Sequence, residues 1–193
     1  MATSLRAALA IALAILALPS FAAEIAGVKF PEQVQAEGRQ LVLNGAGLRR
    51  KLFFKVYAMA LYLPARAAGA AAAIDAPGPK RIAIGMLRDV DAKTFSDALR
   101  EGIEANHSEA EVKALEPRIK QLEAVMQKVG TAKDGMRIRL DWVPGAGTQV
   151  SIDGAPADAP IPGEDFYRAL LRIWLGPHAV QDDLKQALLG ARD

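Results

Sequence analysis

GAGLRRKLFFKVYAMALYL, residues 45 to 63, decides how the rest of the chain is read. From Lys51 onward successive side chains alternate between two faces, the period of a β-strand. Leu52, Phe54, Val56, Ala58, Ala60 and Tyr62 make one face wholly apolar or aromatic. Lys51, Phe53, Lys55, Tyr57, Met59, Leu61 and Leu63 make the other, which is mixed. A run so long and so rich in aromatic and aliphatic residues belongs inside a sheet. The mixed face is apolar enough to be covered, yet it carries a phenol and follows closely on Arg49. Two readings of Tyr57 stand. It bonds a neighbouring carbonyl in plain core, or it belongs with Arg49 to the floor of a ligand cleft.

Outward from this stretch the chain divides into a leader and one domain. Residues 1–6 are short and positive, residues 7–18 are purely apolar, and Pro19-Ser20-Phe21-Ala22 ends in small residues suited to a signal peptidase. The apolar run of 12 residues is too short to span a bilayer, which takes about 20. The expectation is a signal peptide over residues 1–22, cleaved there or one residue later. The mature domain, residues 23–193, is then periplasmic or secreted. The chain has no cysteine, so neither a disulfide-stapled scaffold nor a lipoprotein is expected. The remaining ~170 residues suffice for one domain with a real core. The formal net charge of +2 falls by one when Arg6 leaves with the leader. Acids are interspersed among the basic residues, with no basic stripe carrying aromatics, so no nucleic-acid partner is expected. After the leader there is no second hydrophobic span and no strong cationic amphipathic helix, so no stable membrane span is expected.

On the N-terminal side, residues 24–30 read as a short strand ended by Pro31. Residues 40–44 read as another, running into Gly45-Ala46-Gly47. Glycines there suggest a close backbone approach or a bend before Arg49. They are no dinucleotide fingerprint, because the third glycine is missing and strand follows instead of helix. On the C-terminal side Pro64 ends the strand, residues 65–73 predict a turn or two of helix, and residues 75–80 a loop. Residues 81–87 form a strand. Asp89 or Asp91 caps a helix with the stripe Phe95, Leu99, Ile103. Ser108 and Glu111 form a capping-box pattern for a further helix, which Pro117 kinks or splits and Gly130 ends. Residues 136–143 alternate cleanly and pair with residues 148–152 as a hairpin. Phe166, Leu170, Ile173 and Trp174 line one side of a helix stopped by Gly176-Pro177, and residues 180–189 form a last helix. Trp142 and Trp174 should both be buried, one on the covered face of the sheet and one on a helix. The order of elements predicts an α+β fold, an antiparallel sheet with a layer of helices on one face.

The chain is poor in the side chains that most active sites use. Two histidines, His107 and His178, and no cysteine leave few routes to a metal site or a thiol nucleophile, so no metal and no cofactor are expected. His107 reads as a solvated residue near a helix end. Glu104, Glu109 and Glu111 read as a wet helix face. The polar groups left to consider are Arg49, Tyr57 and Lys55. An arginine in a largely apolar cleft requires an anion, because it cannot shed its charge by losing a proton.

With these residues assembled, the sequence resembles the chalcone isomerase-like family, in its bacterial, exported branch. The resemblance covers roughly residues 27–190. It is carried by Asn44-Gly45-Ala46-Gly47-Leu48-Arg49 with the strand from Lys55 to Leu63, and by the C-terminal stretch holding Gly176, His178-Ala179-Val180 and Asp183-Leu184-Lys185. It implies an open-faced β-sandwich, a large antiparallel sheet with a helix layer and the ligand cleft between them. The plant enzymes of that fold close a chalcone into a flavanone. An arginine holds the phenolate, while threonine, tyrosine and asparagine side chains position substrate and water. Of these only the arginine survives, as Arg49. The strand threonine falls at Tyr57, the cleft tyrosine near Phe95, the asparagine near Gly102 and the second threonine at Ile173. Losing such positioning groups raises a barrier by several kcal/mol, so no catalytic residue is expected.

The same fold includes fatty-acid binders in which an arginine and a tyrosine grip the carboxylate. The resemblance therefore implies a non-catalytic binder of a small apolar anion such as a fatty acid, with Arg49, Tyr57, Phe95 and Ile173 at the site. The alternative is an isomerase, an intramolecular lyase, on an unknown substrate. A cleft retained only to support a protein partner is a third reading, for which the sequence shows no exposed motif. For one ligand to reach both Arg49 and Tyr57, the chain must turn. Eight residues of straight strand would hold them ~26 Å apart, so a bend is expected between Arg49 and Phe54.

Overall fold

The computed structural model describes residues 21–191. Of the expected leader, residues 1–20 lie outside them, and Phe21 and Ala22 open the first strand. β1 (Phe21–Ile25) and β2 (Val28–Pro31) form a hairpin where the sequence suggests one short strand. Ala26 and Gly27 turn the chain at φ 50° and 84°, and left-handed residues of this kind match the twist of the flanking strands. Glu37 and Gly38 make a second such turn between β3 (Gln33–Ala36) and β4 (Arg39–Lys51). A third turn, at Leu52-Phe53, joins β4 to β5 (Phe54–Leu63). The strand expected from residue 51 thus begins at Phe54, and residues 40–44 are part of a strand of 13 residues. Alternation alone cannot mark a two-residue reversal, because it carries the period across the turn.

The chain continues through α1 (Ala70–Ile74), β6 (Lys80–Met86), β7 (Val90–Asp91), α2 (Ala92–Glu104), α3 (Glu109–Val129) and β8 (Thr131–Ala132). β9 (Arg137–Val143), β10 (Gly147–Ile152), β11 (Ala155–Pro156), α4 (Glu164–Leu175) and α5 (Asp182–Leu188) follow. Asp91 caps α2, its Oδ1 accepting from the Thr94 N–H at 2.8 Å. Asp89 instead accepts from Lys133 and from the Asp134 backbone N–H. Ser108 and Glu111 form the complete capping box of α3. That helix runs through Pro117 without being divided and ends at Gly130.

Seven strands form one sheet in the order β11-β10-β9-β6-β5-β4-β3, each pair antiparallel. The two faces of β5 read from the sequence separate two cores. Tyr57, Met59, Leu61 and Leu63 face the helices together with Ile82 and Ile84 of β6 and Ile138, Leu140 and Trp142 of β9. Ala58, Ala60 and Tyr62 face the other way with Leu41 and Leu43, where Val28 and Phe30 of the β1–β2 hairpin cover them. Both tryptophans are buried, Trp142 at 7% exposure on the sheet and Trp174 at 6% on α4. Trp142 packs against Tyr167 with ring centroids 6.1 Å apart. The result is the α+β arrangement expected, with the helix layer over one face of a curled antiparallel sheet.

Candidate functional site

The turn at Leu52-Phe53 folds residues 45–51 back along β5 and sets Arg49 directly opposite Tyr57 in the β4–β5 register. The chain therefore reverses between Arg49 and Phe54, and the two side chains become neighbours. Arg49 is half-buried, and its Nη1 donates to Gln181 Oε1 at 3.1 Å and to the Arg50 carbonyl. Gln181 also accepts from the Arg50 N–H at 2.7 Å and donates to the Leu48 carbonyl at 2.8 Å. One glutamine just before α5 thus holds the arginine and the strand that carries it.

Tyr57 is buried, and its hydroxyl oxygen accepts from Trp174 Nε1 at 2.8 Å. The reading in which it bonds a neighbouring carbonyl is replaced by this contact. With Trp174 donating to the oxygen, the hydroxyl keeps its own proton for a further acceptor. Burial pushes the Tyr57 pKa up, and the Trp174 hydrogen bond and the Arg49 charge offset this only partly. Tyr57 is therefore a neutral hydrogen-bond donor at neutral pH, not a base.

Arg49, Tyr57 and Trp174 line a cavity of about 800 Å³ between the sheet and helices α2, α3 and α4. Its inner walls are aliphatic: Ile84, Leu122, Val125, Ile138, Leu140 and Val150 are all buried. Phe95 and Ile173 line it too, as do Arg49 and Tyr57, so the structure brings all four predicted residues into one space. Gly102 also lines the wall, and Ile173 fills the space beside it. A Cβ on Gly102 would lie 2.8 Å from Ile173 Cγ2, closer than carbon atoms approach. A larger residue at 102 would thus require Ile173 to shift. Lys55 is exposed and does not line the cavity.

Sequence reasoning missed Trp174 as a polar partner and Gln181 altogether. Trp174 reads as core because its apolar area dominates its period, and Gln181 is separated from Arg49 by more than a hundred residues of sequence. Lys80, at the end of the loop expected over residues 75–80, instead opens β6 and is fully buried, donating to the Ile74 carbonyl at 3.0 Å and to Glu164 at 3.3 Å. It lies outside the cavity lining. His107 is half-buried, its Nδ1 lying 2.8 Å from the Ile103 carbonyl, and not simply solvated. Among the described residues no group of three or more histidine or carboxylate side chains is placed to hold a metal ion.

A sheet that floors a largely apolar cavity beneath a helix layer, with a guanidinium and a phenol side by side on its lining, defines an open-faced β-sandwich with a cleft. The chain belongs to the chalcone isomerase-like family, whose pattern matches residues 22–190. Comparison with curated protein sequences gives no match. Among solved structures the fold is similar to that of the Arabidopsis thaliana fatty-acid binding protein, with a TM-score of 0.65 and 16% sequence identity over 84% of this chain and 92% of that one.

Proposed function

We propose that this protein is an exported, non-catalytic binder of a small apolar anion, a fatty acid or similar acid. The observation that carries the reading is the pairing of Arg49 with Tyr57 on the lining of a cavity whose inner walls are aliphatic. A carboxylate there meets a cation that cannot be neutralised and a neutral hydroxyl with a proton to give. The apolar tail finds walls that gain from excluding water, at roughly 25 cal/mol per Å² removed from it. The structural similarity to a protein described as a fatty-acid binder supports this reading. Phe95, Gly102 and Ile173, which offer no polar side-chain group, support a cavity that holds its ligand without transforming it.

Fatty-acid titration of the protein recovered from the periplasm tests both halves of the proposal. Intact mass of that material should correspond to a chain beginning at Ala23 or Glu24. A carboxylate held by Arg49 gains roughly 1.5 to 3 kcal/mol from the charge-assisted contact. Arg49→Ala should therefore weaken acid binding about tenfold or more and leave the matching alcohol or ester nearly unaffected. Equal losses for acid and neutral analogue would remove the anchor from the argument.

A further inference from the structure

The turn between β4 and β5 carries the large hydrophobic side chains most exposed among the described residues: Leu52 at 83%, Phe53 at 97% and Phe54 at 56%. A hairpin apex in water ordinarily carries Gly, Asn or Asp. Here Leu52 takes the left-handed region, at φ 55°, that glycine adopts more readily. None of the three belongs to either core cluster, so packing of the fold does not account for them.

Cations surround this apex. Arg50, Lys51 and Lys55 flank it and are exposed. The Arg88 guanidinium lies over the Phe54 ring, 4.7 Å from its centroid. Residues 49–55 contain no acid. The nearby carboxylates have other work: Asp183 faces Arg50 at 3.6 Å, Asp89 is held by Lys133, and Asp91 caps α2. The apex also borders the cavity, since Lys51, Leu52, Phe54 and Arg88 are exposed and line it.

We propose that the Leu52-Phe53-Phe54 turn inserts into an anionic lipid surface and seats the cavity mouth at the level of the headgroups. Aromatic and aliphatic side chains enter the boundary between headgroups and acyl chains, and basic neighbours meet the anionic headgroups. A narrow convex apex of this kind offers little of the ~800 Å² per partner that a stable protein interface uses, whereas a bilayer accepts a wedge. No described helix is long and apolar enough to cross a membrane, and the hairpin contact needs none. An acid could then pass between bilayer and Arg49 without crossing bulk water. That transfer rests on the acid-binding reading, whereas the docking does not.

Flotation with two kinds of vesicle tests it: phosphatidylglycerol mixed equally with phosphatidylcholine, and phosphatidylcholine alone. The purified protein should float with the first at low ionic strength, stay behind with the second, and be released by salt. Phe53→Ser and Lys55→Glu should each weaken the partition on the order of tenfold. Neither residue lines the cavity, so fatty-acid affinity measured in solution should stay at the wild-type value. The rate of acid transfer from labelled vesicles should fall with the partition. Absence of flotation with anionic vesicles overturns the docking, as does a Phe53→Ser variant that floats like wild type. A dimer in sedimentation that Phe53→Ser dissolves, without vesicle binding, would assign the apex to a second copy and overturn it too. Flotation without any acid binding in solution would sustain the docking and strike only the acid-binding reading.

Discussion

Trp174 and Tyr57 show how a single side chain acquires a role that its sequence context hides. The indole N–H of Trp174 satisfies the buried Tyr57 oxygen at 2.8 Å, and that contact decides which way the phenolic proton is free to point. Trp174→Phe keeps an aromatic ring, removes the donor and leaves a smaller void than alanine would. Urea denaturation should read a loss of about 1 to 3 kcal/mol, the range for a buried acceptor left short of a partner. Trp174→Ala should cost about 3 to 5 kcal/mol, because the large ring also leaves a void. If the two variants were equally stable, the ring's packing would be worth nothing beyond the hydrogen bond. Arg49, which lines the cavity, was legible as a candidate site residue from its charge beside the apolar central strand. Its orientation was not, because Gln181 supplies it from the far end of the chain.

At the scale of elements, Gly45 and Gly47 explain how α5 reaches β4. A Cβ on Gly45 would overlap the Ala187 carbonyl oxygen and lie 2.7 Å from the Leu188 carbonyl carbon. A Cβ on Gly47 would lie 2.8 Å from Leu184 Cδ1 and 2.9 Å from Ala187 Cβ. Asn44 locks the same contact, donating to the Leu188 carbonyl at 2.7 Å while accepting from the Ala67 N–H at 2.7 Å. The expectation of a close backbone approach at these glycines is met, and the approaching element is the last helix. Gly45→Ala should destabilise by about 1 to 3 kcal/mol or more, as overpacking against backbone does. Gly47→Ala meets side chains instead, so Ala187→Gly placed with it should restore part of the loss. A thermal-denaturation double-mutant cycle reads this coupling directly.

For the whole molecule, three buried tyrosines link stability to alkaline pH. Burial raises the pKa of Tyr57, Tyr62 and Tyr167 above the ordinary value of 10.0; Arg49 and Trp174 offset it at Tyr57, and Arg81 at Tyr62 and Tyr167. A phenol whose folded pKa is raised contributes its stability in full below the unfolded value. That contribution is lost as pH climbs from there toward the folded value, because the unfolded chain ionises first. Thermal midpoints should therefore fall steeply above about pH 10, and Tyr62→Phe should flatten the fall. By itself the sequence determined the fold class, the two faces of the central strand, the buried tryptophans, the capping box of α3 and the candidacy of Arg49, while it left the cap of α2 open between Asp89 and Asp91. Each of these rests on local period, charge or capping chemistry, which acts within a few residues. Only the tertiary structure decided that the expected bend between Arg49 and Phe54 is a two-residue reversal at Leu52-Phe53, that Trp174 and Gln181 hold Tyr57 and Arg49, and that Lys80 is buried against Glu164. Those depend on contacts between residues far apart in the chain, and on a reversal that strand alternation passes over unmarked. Trp174 and Gln181 meet β5 and β4 because the helix layer packs across the sheet.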